Sequence, residues 1–436
     1  MENAFQIYVG IDLAVVAAHQ AWVLDDRLKK IGEKAFEPSA GSIQAFVEWL
    51  HELAAGRPIA VGLEAPHGAV VEALLERGVA VFHINPKQVD RFRDRETVSG
   101  AKDDRRDARV LARALCTDFD CFHEVQAAAP EIVRLRELSR ERDDLLGDLG
   151  AAANRLRDQL TRYYPQALRL CPAASAPWFW EVLELAPTPE EAVHLELERV
   201  KAILKRRRIT KRKPKEVIHV LKEQPVKVAA GLTEACRGHV RRLTAILATT
   251  HKALREVETH LAAELEKLRQ PVEGDQGKAE HRDAEILLSM PGVGEIVGAT
   301  VLSEAAEALR ARDYTRLRTL AGIAPVTKAS GLRRHSGGRK QGGGRGQRKA
   351  QVVMRRACSP RLRNALHHWA AVAAQWDPAA KAHYKALTEA GQTRGRALRG
   401  VADRLLRILF AALKSGKLYD PGHQAKSPYA AAAIAA

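Results

Sequence analysis

Acidic residues are missing from one long stretch of this sequence. Between Tyr314 and Trp376, sixty-three residues, there is no Asp or Glu, while fourteen Lys and Arg occur. A solvated surface interleaves both signs, so an acid-free basic stretch of this length points to phosphate contact. Aromatic residues are also scarce, at 5% of the chain. None interleaves with the basic residues of the Gly/Arg-rich centre, SGLRRHSGGRKQGGGRGQRKAQ, so stacking of single-stranded bases on rings is not the expected mode. No run of 18 apolar residues exists, which argues against a membrane span; the basic charge alone would suit nucleic acid or an acidic membrane surface, and no membrane partner is expected. The N-terminal MENAFQIYVGIDLA lacks a basic segment followed by a long apolar core, so it reads as a strand and not as a signal peptide. The five cysteines, Cys116, Cys121, Cys171, Cys236 and Cys358, are odd in number and scattered without a CxxC pair. They predict free thiols in a reducing cytoplasm, with neither a disulfide framework nor a zinc cage.

What is present is length, charge and helix. The chain has 436 residues and a net charge of +17, enough for two or three domains and a polyanionic partner. Residues 6–13 (QIYVGIDL), 16–25 and 29–37 read as strands, and 40–54 as a helix with Ile43, Phe46, Val47, Leu50 and Leu53 on one face. IAVGLEA (59–65) and VAVFHI (79–84) are further short apolar runs, separated by a helix through about 68–78. Asp104 to Leu115 is helical again. Short apolar runs alternating with helices predict an α/β sheet that is partly parallel.

From about residue 130 the pattern is almost wholly helical. Leu135, Leu138, Leu145, Leu149, Leu156 and Leu160 recur at threes, fours and sevens. A second long helix covers 232–268 after a Pro-containing interruption (172–187) and shorter helical pieces. Two such helices predict an antiparallel coiled-coil arm, or else a plain helical domain. Between them KRRRITKRKPK (205–215) carries eight Lys or Arg in eleven residues, a pattern that fits nucleic-acid contact or a solvated loop. AEILLSMPGVGEIVGATVLSEA resembles a helix-hairpin-helix. In its hairpin (291–294), Gly292 and Gly294 would let backbone N–H groups approach a phosphate, unless the turn simply joins core helices. Helices are expected again at about 347–375 and 380–415. The sequence thus divides into an α/β domain (1–125), a helical arm (126–275), a mostly α domain (276–415) and a tail (416–436) expected to be disordered.

Asp12 ends the first strand and Glu64 ends the IAVGLE strand. If those strands are parallel neighbours, both carboxylates lie at the sheet edge where ligands bind. Asp104 and Asp107 share a helix face, and so do Asp103 and Asp107, so spacing leaves the third acid open. Converging carboxylates repel unless cations neutralise them, and an oxygen-only set selects Mg²⁺ or Mn²⁺. Two such ions suit phosphodiester chemistry. Each acid taken alone has an ordinary reading as a cap or a solvated helix residue.

The segments YVGIDLA, VGLEAPHG, HINPKQVDRFR and AKDDRRDARVLARAL resemble the RuvC-like (RNase H-like) N-terminal domain of insertion-sequence transposases with a DEDD motif, the one-hundred-and-ten family. LSMPGVGEIVGATVLSEA and LRTLAGIAPVTKASG resemble that family's C-terminal transposase domain. The resemblance implies a metal-binding set of Asp12, Glu64, Asp104 and Asp107, although Lys102-Asp103-Asp104 stands where Lys-Thr-Asp is expected. It also implies a serine nucleophile, here Ser330 in KASGLRRHSGG, with Thr327 and Ser336 as neighbouring hydroxyls. Arg333 and Arg334 could stabilise the transition state, and Arg339, Lys340 and Arg345 would add DNA contacts. The family further implies a non-coding guide RNA; symmetric DNA exchange suggests an even-numbered homo-oligomer (dimer or tetramer), and the expected location is cytoplasmic and nucleoid-associated. The expected activity is that of a transposase or DNA recombinase. The competing readings are a hydrolytic nuclease or junction resolvase, which uses water and needs no Ser330, and a non-catalytic nucleic-acid-binding protein.

Overall fold

The computed structural model describes residues 5–65, 67–96, 103–126, 128–269, 279–328 and 351–421. The chain forms two compact units, Met1–Ala128 and Ala129–Ala436.

The first unit is a layered α/β domain. Its elements are β1 (Ile7–Asp12), β2 (His19–Asp25), β3 (Lys30–Phe36), α1 (Ala40–Ala54), β4 (Ile59–Leu63), α2 (Ala69–Glu76), β5 (Ala80–His83), α3 (Pro86–Glu96), α4 (Asp104–Thr117) and β6 (His123–Glu124). The sheet order is β3-β2-β1-β4-β5-β6, with β1, β4 and β5 parallel and the other pairings antiparallel. Helices cover both faces, which is why β1 and β4 are apolar along nearly their whole length. Ile7, Val9 and Ile11 pack on one face with Phe46, Leu50 and Leu74 of α1 and α2. Tyr8, Ala60 and Ile84 face the other way, against Val89 of α3 and Leu111 and Leu115 of α4. The partly parallel sheet follows the sequence expectation. The strand expected at 16–25 begins only at His19, because Val15 and Val16 stand out in the β1–β2 loop at 94% and 85% exposure.

The second unit is helical apart from one small ladder. Its long elements are α5 (Pro130–Tyr163) and α10 (Leu232–Arg269), and between them lie α6 (Pro177–Leu185), α7 (Pro189–Val193), α8 (Leu197–Arg206) and α9 (Pro214–Leu221). α5 and α10 run antiparallel: Arg134 pairs with Glu264 at 2.9 Å, Arg142 with Glu258 at 3.2 Å, and Gln159 meets Cys236 at 3.6 Å. At 34 and 38 residues, each is about 50–57 Å long at 1.5 Å per residue. One end of this pair is closed by α6–α9 around Phe179, Leu183, Val200 and Val217. The expected interruption at 172–187 therefore contains a helix, which Pro177 begins at its first position, where proline costs no hydrogen bond.

The other end carries α11 (Ala279–Ser289), α12 (Glu295–Glu304), α13 (Ala306–Arg310), α14 (Tyr314–Leu320), β7 (Val326–Lys328), β8 (Gln351–Val353), α15 (Pro360–Trp376), α16 (Pro378–Glu389) and α17 (Arg394–Ser415). Of the helix expected at 347–375, residues 347–350 lie outside the described residues, 351–353 form β8 paired with β7, and α15 begins only at Pro360. The helix expected at 380–415 is split, and Gly391 makes the break with a φ of 79°. Beyond α17, Tyr419 still donates its backbone N–H to Ser289 Oγ at 2.9 Å. The remainder of the expected tail, 422–436, lies outside the described residues. No described helix is long and apolar enough to cross a membrane.

Candidate active site

The first unit brings its candidate acids to one edge of the sheet. Ile11 of β1 pairs with Leu63 of β4 in parallel register, so Asp12 and Glu64 follow as the next neighbours. Strand alternation decides which face they take. Tyr8 and Ala60 lie on the face covered by α4, as do Gly10 and Gly62, which touch it. The next residues of the same parity are Asp12 and Glu64.

α4 reaches that edge because Gly10 lets it press onto β1. A Cβ at Gly10 would sit 2.0 Å from the Ala108 carbonyl oxygen and 2.4 Å from the Ala112 nitrogen. The helix runs antiparallel to β1. Its C-terminal Cys116 lies near the Asp25 carbonyl (3.9 Å), and Asp25 pairs with Ile7 at the start of β1. Its N-terminus therefore lies at the Asp12 end. Asp103 is the N-cap and exposed, Asp104 is the first helical residue and exposed, and Asp107 is buried. Arg105, in the same first turn, pairs with Glu33 of β3 at 2.6 Å and holds the Glu33 carboxyl below its usual range.

Asp107 has an internal cation. Arg93 of α3 donates from Nε to Asp107 Oδ1 at 2.8 Å and from Nη1 to Asp90 at 2.9 Å. Burial works against the Arg93 charge, but the bonds and charge of Asp107 and Asp90 outweigh it, and its pKa is raised. Sequence reasoning missed Arg93, along with the helix that carries it. The available signal was Asn85-Pro86: Asn85 Oδ1 accepts from the Lys87 N–H at 3.0 Å and Pro86 opens α3, a standard helix start. His19 was missed too. It is buried, its Nδ1 accepts from the Ala14 N–H at 3.1 Å, and it fixes the loop that follows Asp12. Burial lowers its pKa, against a smaller opposing pull from Glu37.

The donor set is all carboxylate, the chemistry that Mg²⁺ or Mn²⁺ selects, and three donors share an edge. The side chains do not close into a cage, however. Among the described residues no three His, Cys, Asp or Glu gather tightly enough to hold a metal ion, and Asp107 is engaged by Arg93. Asp12, Glu64 and Asp104 thus offer the donor chemistry of a divalent-cation site along one edge without being gathered into one, and Asp107 is occupied by Arg93.

In the second unit, Gly292 has a local explanation. Its φ is +81°, and a Cβ there would lie 2.8 Å from the Ala373 backbone nitrogen of α15. Trp369 Nε1 also donates to the Pro291 carbonyl at 2.9 Å. The 291–294 turn is therefore packed against α15. Gly294 is exposed at the N-cap of α12, but Glu295 already places a carboxylate in that first turn, which opposes a phosphate there. Ser330, Arg333, Arg334, Ser336, Arg339, Lys340 and Arg345 lie outside the described residues. The ladder leading to them is described: Lys328 pairs with Gln351 and Thr327 with Val352.

Comparison with known proteins places the whole chain. A profile of the DEDD transposases of IS110 matches residues 9–165, and one described as the transposase IS116/IS110/IS902 family matches residues 284–385. A Streptomyces coelicolor protein named as the mini-circle transposase for IS117 is 30% identical over 439 residues, covering 96% of each chain. The chain belongs to the IS110 family of transposases. A Sinorhizobium fredii protein named as the transposase y4uE is 41% identical over 212 residues, 48% of this chain and 59% of that one. The first IS110-family match contains Asp12, Glu64, Asp104 and Asp107, and the second brackets 329–350. Neither profile covers 166–283.

Proposed function

We propose that this IS110-family protein cuts and rejoins DNA strands as the transposase of an insertion sequence. The acids of its first unit and Ser330 of its second carry the chemistry. The observation that supports this best is the shared placement of Asp12 and Glu64 under the N-terminus of α4. The mixed sheet, with β1 at its centre, accords with the RuvC-like reading of that unit. Asp104 is the third acid on this reading, because it lies one turn before Ala108 on the stripe that faces the sheet, whereas Asp103 caps the helix from outside it.

Asp12, Glu64 and Asp104 would hold a divalent cation, Mg²⁺ or Mn²⁺, with Asp107 joining once Arg93 turns away. Bound there, the cation supplies Lewis-acid polarisation of a phosphate oxygen. Ser330 Oγ attacks a backbone phosphorus, its proton passes to a base, and one phosphorus–deoxyribose oxygen bond breaks. That oxygen leaves as a hydroxyl, and a phosphoserine is formed. Rejoining reverses the step with another strand's hydroxyl. Arg333 and Arg334 neutralise the charge that develops on the phosphate, and Arg339, Lys340 and Arg345 hold the flanking backbone. Gly294 is a weaker candidate contact, given Glu295 beside it. A non-coding guide RNA and a dimeric or tetrameric assembly complete the proposal, with a cytoplasmic, nucleoid-associated location. The functional regions are the α/β domain (1–125), the arm (126–275) and the C-terminal domain (276–415).

The test is incubation of the full-length protein with element-end DNA, Mg²⁺ and co-expressed RNA, scored for DNA adducts that survive denaturation. Wild type forms adducts, and Ser330→Ala and Asp12→Ala do not. Cleavage without any adduct in wild type replaces the serine route with hydrolysis. Unchanged activity in Asp12→Ala removes the acids from the mechanism.

A further inference from the structure

The net charge of this chain comes from two places. Taking the fourteen basic residues of 314–376 and the eight of 205–215 away from +17 leaves every other residue together at −5. The first segment belongs to the function proposed above. The second is the turn between α8 and α9, at the end of the arm closed by α6–α9, outside both family matches.

This turn is held firmly at both sides. Ile209 packs against the core of the α6–α9 end, and its N–H donates to the Leu204 carbonyl at 2.9 Å. Arg212 pairs with Glu216 at 3.0 Å and donates to the Leu170 carbonyl at 3.1 Å. Arg206 and Arg207 are both taken by Glu181. Five cations are left over. Lys205, Arg208, Lys211, Lys213 and Lys215 are exposed, and none has an ion-pair partner among the described residues.

Arg208 is the most telling of them. It follows the C-cap of α8 with a φ of +53°, the left-handed position where helices end most easily on glycine. A second arginine in this chain adopts the same conformation after a helix: Arg312, also with a φ of +53°. Arg312 has an internal reason, a two-pronged ion pair with Asp283 at 2.5 and 2.7 Å. Arg208 has no such ion pair among the described residues and is exposed, although Ala55 takes the same backbone conformation after α1 with no charge to place.

We propose that Lys205, Arg208, Lys211, Lys213 and Lys215 form a second nucleic-acid contact, gripping a phosphodiester backbone at the end of the arm. This rests on the protein being a nucleic-acid enzyme, but not on its serine or its acids. A duplex DNA and a folded RNA present the same anionic backbone, and the experiment separates them.

Binding of full-length protein to a duplex DNA and to an RNA hairpin of equal length is measured by anisotropy over a range of salt. Each phosphate contact contributes about 0.9 to the slope of log K against log salt on duplex DNA. Replacing the four lysines by Gln and Arg208 by Gly should lower the slope by about 4–5 on duplex DNA, if DNA uses this surface, and comparably on RNA if RNA does. Arg208→Gly alone should lower it by about 1 while raising the unfolding midpoint, because glycine relieves the left-handed strain. Acetylation footprinting of Lys205, Lys211, Lys213 and Lys215 should show protection by that same nucleic acid and none by polyglutamate. If wild type binds neither nucleic acid, the proposed function falls. If it binds but the slopes are unchanged, or polyglutamate protects equally, this contact is wrong and the function stands.

Discussion

Gly10→Ala is the substitution that most directly probes how the acid edge is built. The new methyl carbon would have to occupy a point 2.0 Å from the Ala108 carbonyl oxygen, 2.4 Å from the Ala112 nitrogen and 2.8 Å from Leu111 Cβ. Two of these are backbone atoms of α4, so no rotamer change can relieve the clash. α4 has to back away from β1 by about 1 Å, and a gap of that size forfeits a quarter to a half of each van der Waals contact across it. Overpacking typically costs about 1–3 kcal/mol and sometimes more; with the buried face of Ala108, Leu111, Ala112 and Leu115 all displaced, the expected cost is about 3–5 kcal/mol. Gly62→Ala is the control. Its nearest neighbour is the mobile end of Ile84 at 2.9 Å, and the nearest backbone atom is 3.6 Å away. Its cost should stay within about 1 kcal/mol, because glycine in a strand is itself unfavourable by about 0.5–1 kcal/mol. Both variants are compared in the full chain by hydrogen exchange in urea, following peptides from 7–25 and 104–117, with a peptide from 232–269 as internal reference. Equal protection in the two variants would refute the close helix–strand contact, and with it the route by which α4 carries Asp104 and Asp107 to Asp12.

Arg93→Leu leaves the Asp107 carboxylate buried without its cation and should destabilise the first unit by about 3–5 kcal/mol. Arg93→Leu combined with Asp107→Leu should recover most of that loss in urea unfolding, and failure to recover would show that Arg93 acts elsewhere. For His19 the folded pKa is depressed below its ordinary 6.5, so the unfolded chain binds the extra proton first. The stability His19 contributes is fully present above about pH 6.5 and is lost as pH falls below it. Exchange protection of the Ala14 amide, read between pH 5.5 and 7.5, should fall on the acid side in wild type and stay flat in His19→Asn, whose amide oxygen can accept the same bond without titrating. A pH-independent wild type would remove His19 from that loop.

Much of the first unit was legible because its signals are local. The period of two in IYVGID and IAVGL, the helical stripe of α1 and the acid at the end of each strand can be read residue by residue. Arg93 was not legible, because an ion pair between residues fourteen positions apart depends on how two short helices cross and not on their composition. In the second unit the long helices were plain from their heptad-like leucines. The region 351–359 was misread because its residues continue a helix-like basic pattern, while the β7–β8 pairing is a non-local contact that overrides local propensity. Gly292 was read either as a means of approaching a phosphate or as a turn between core helices, and its close approach to α15 supports the second reading without testing the first. A glycine in the sequence says only that something comes close, not what.

The four acids also show why burial and charge have to be considered together. A charged carboxylate is costly to take out of water unless it is paired, and the one acid of the four that is buried, Asp107, has a guanidinium at 2.8 Å. Asp12 and Glu64 are half-buried, and Asp104 is exposed. Water is therefore still available to three of the four charges. On the α3 side, Arg93 covers Asp107. On the proposed reading, a cation can recruit Asp107 only by taking over the charge that Arg93 already supplies. The net gain from that ligand would thus be a difference between two ion pairs, Asp107 with the cation against Asp107 with Arg93.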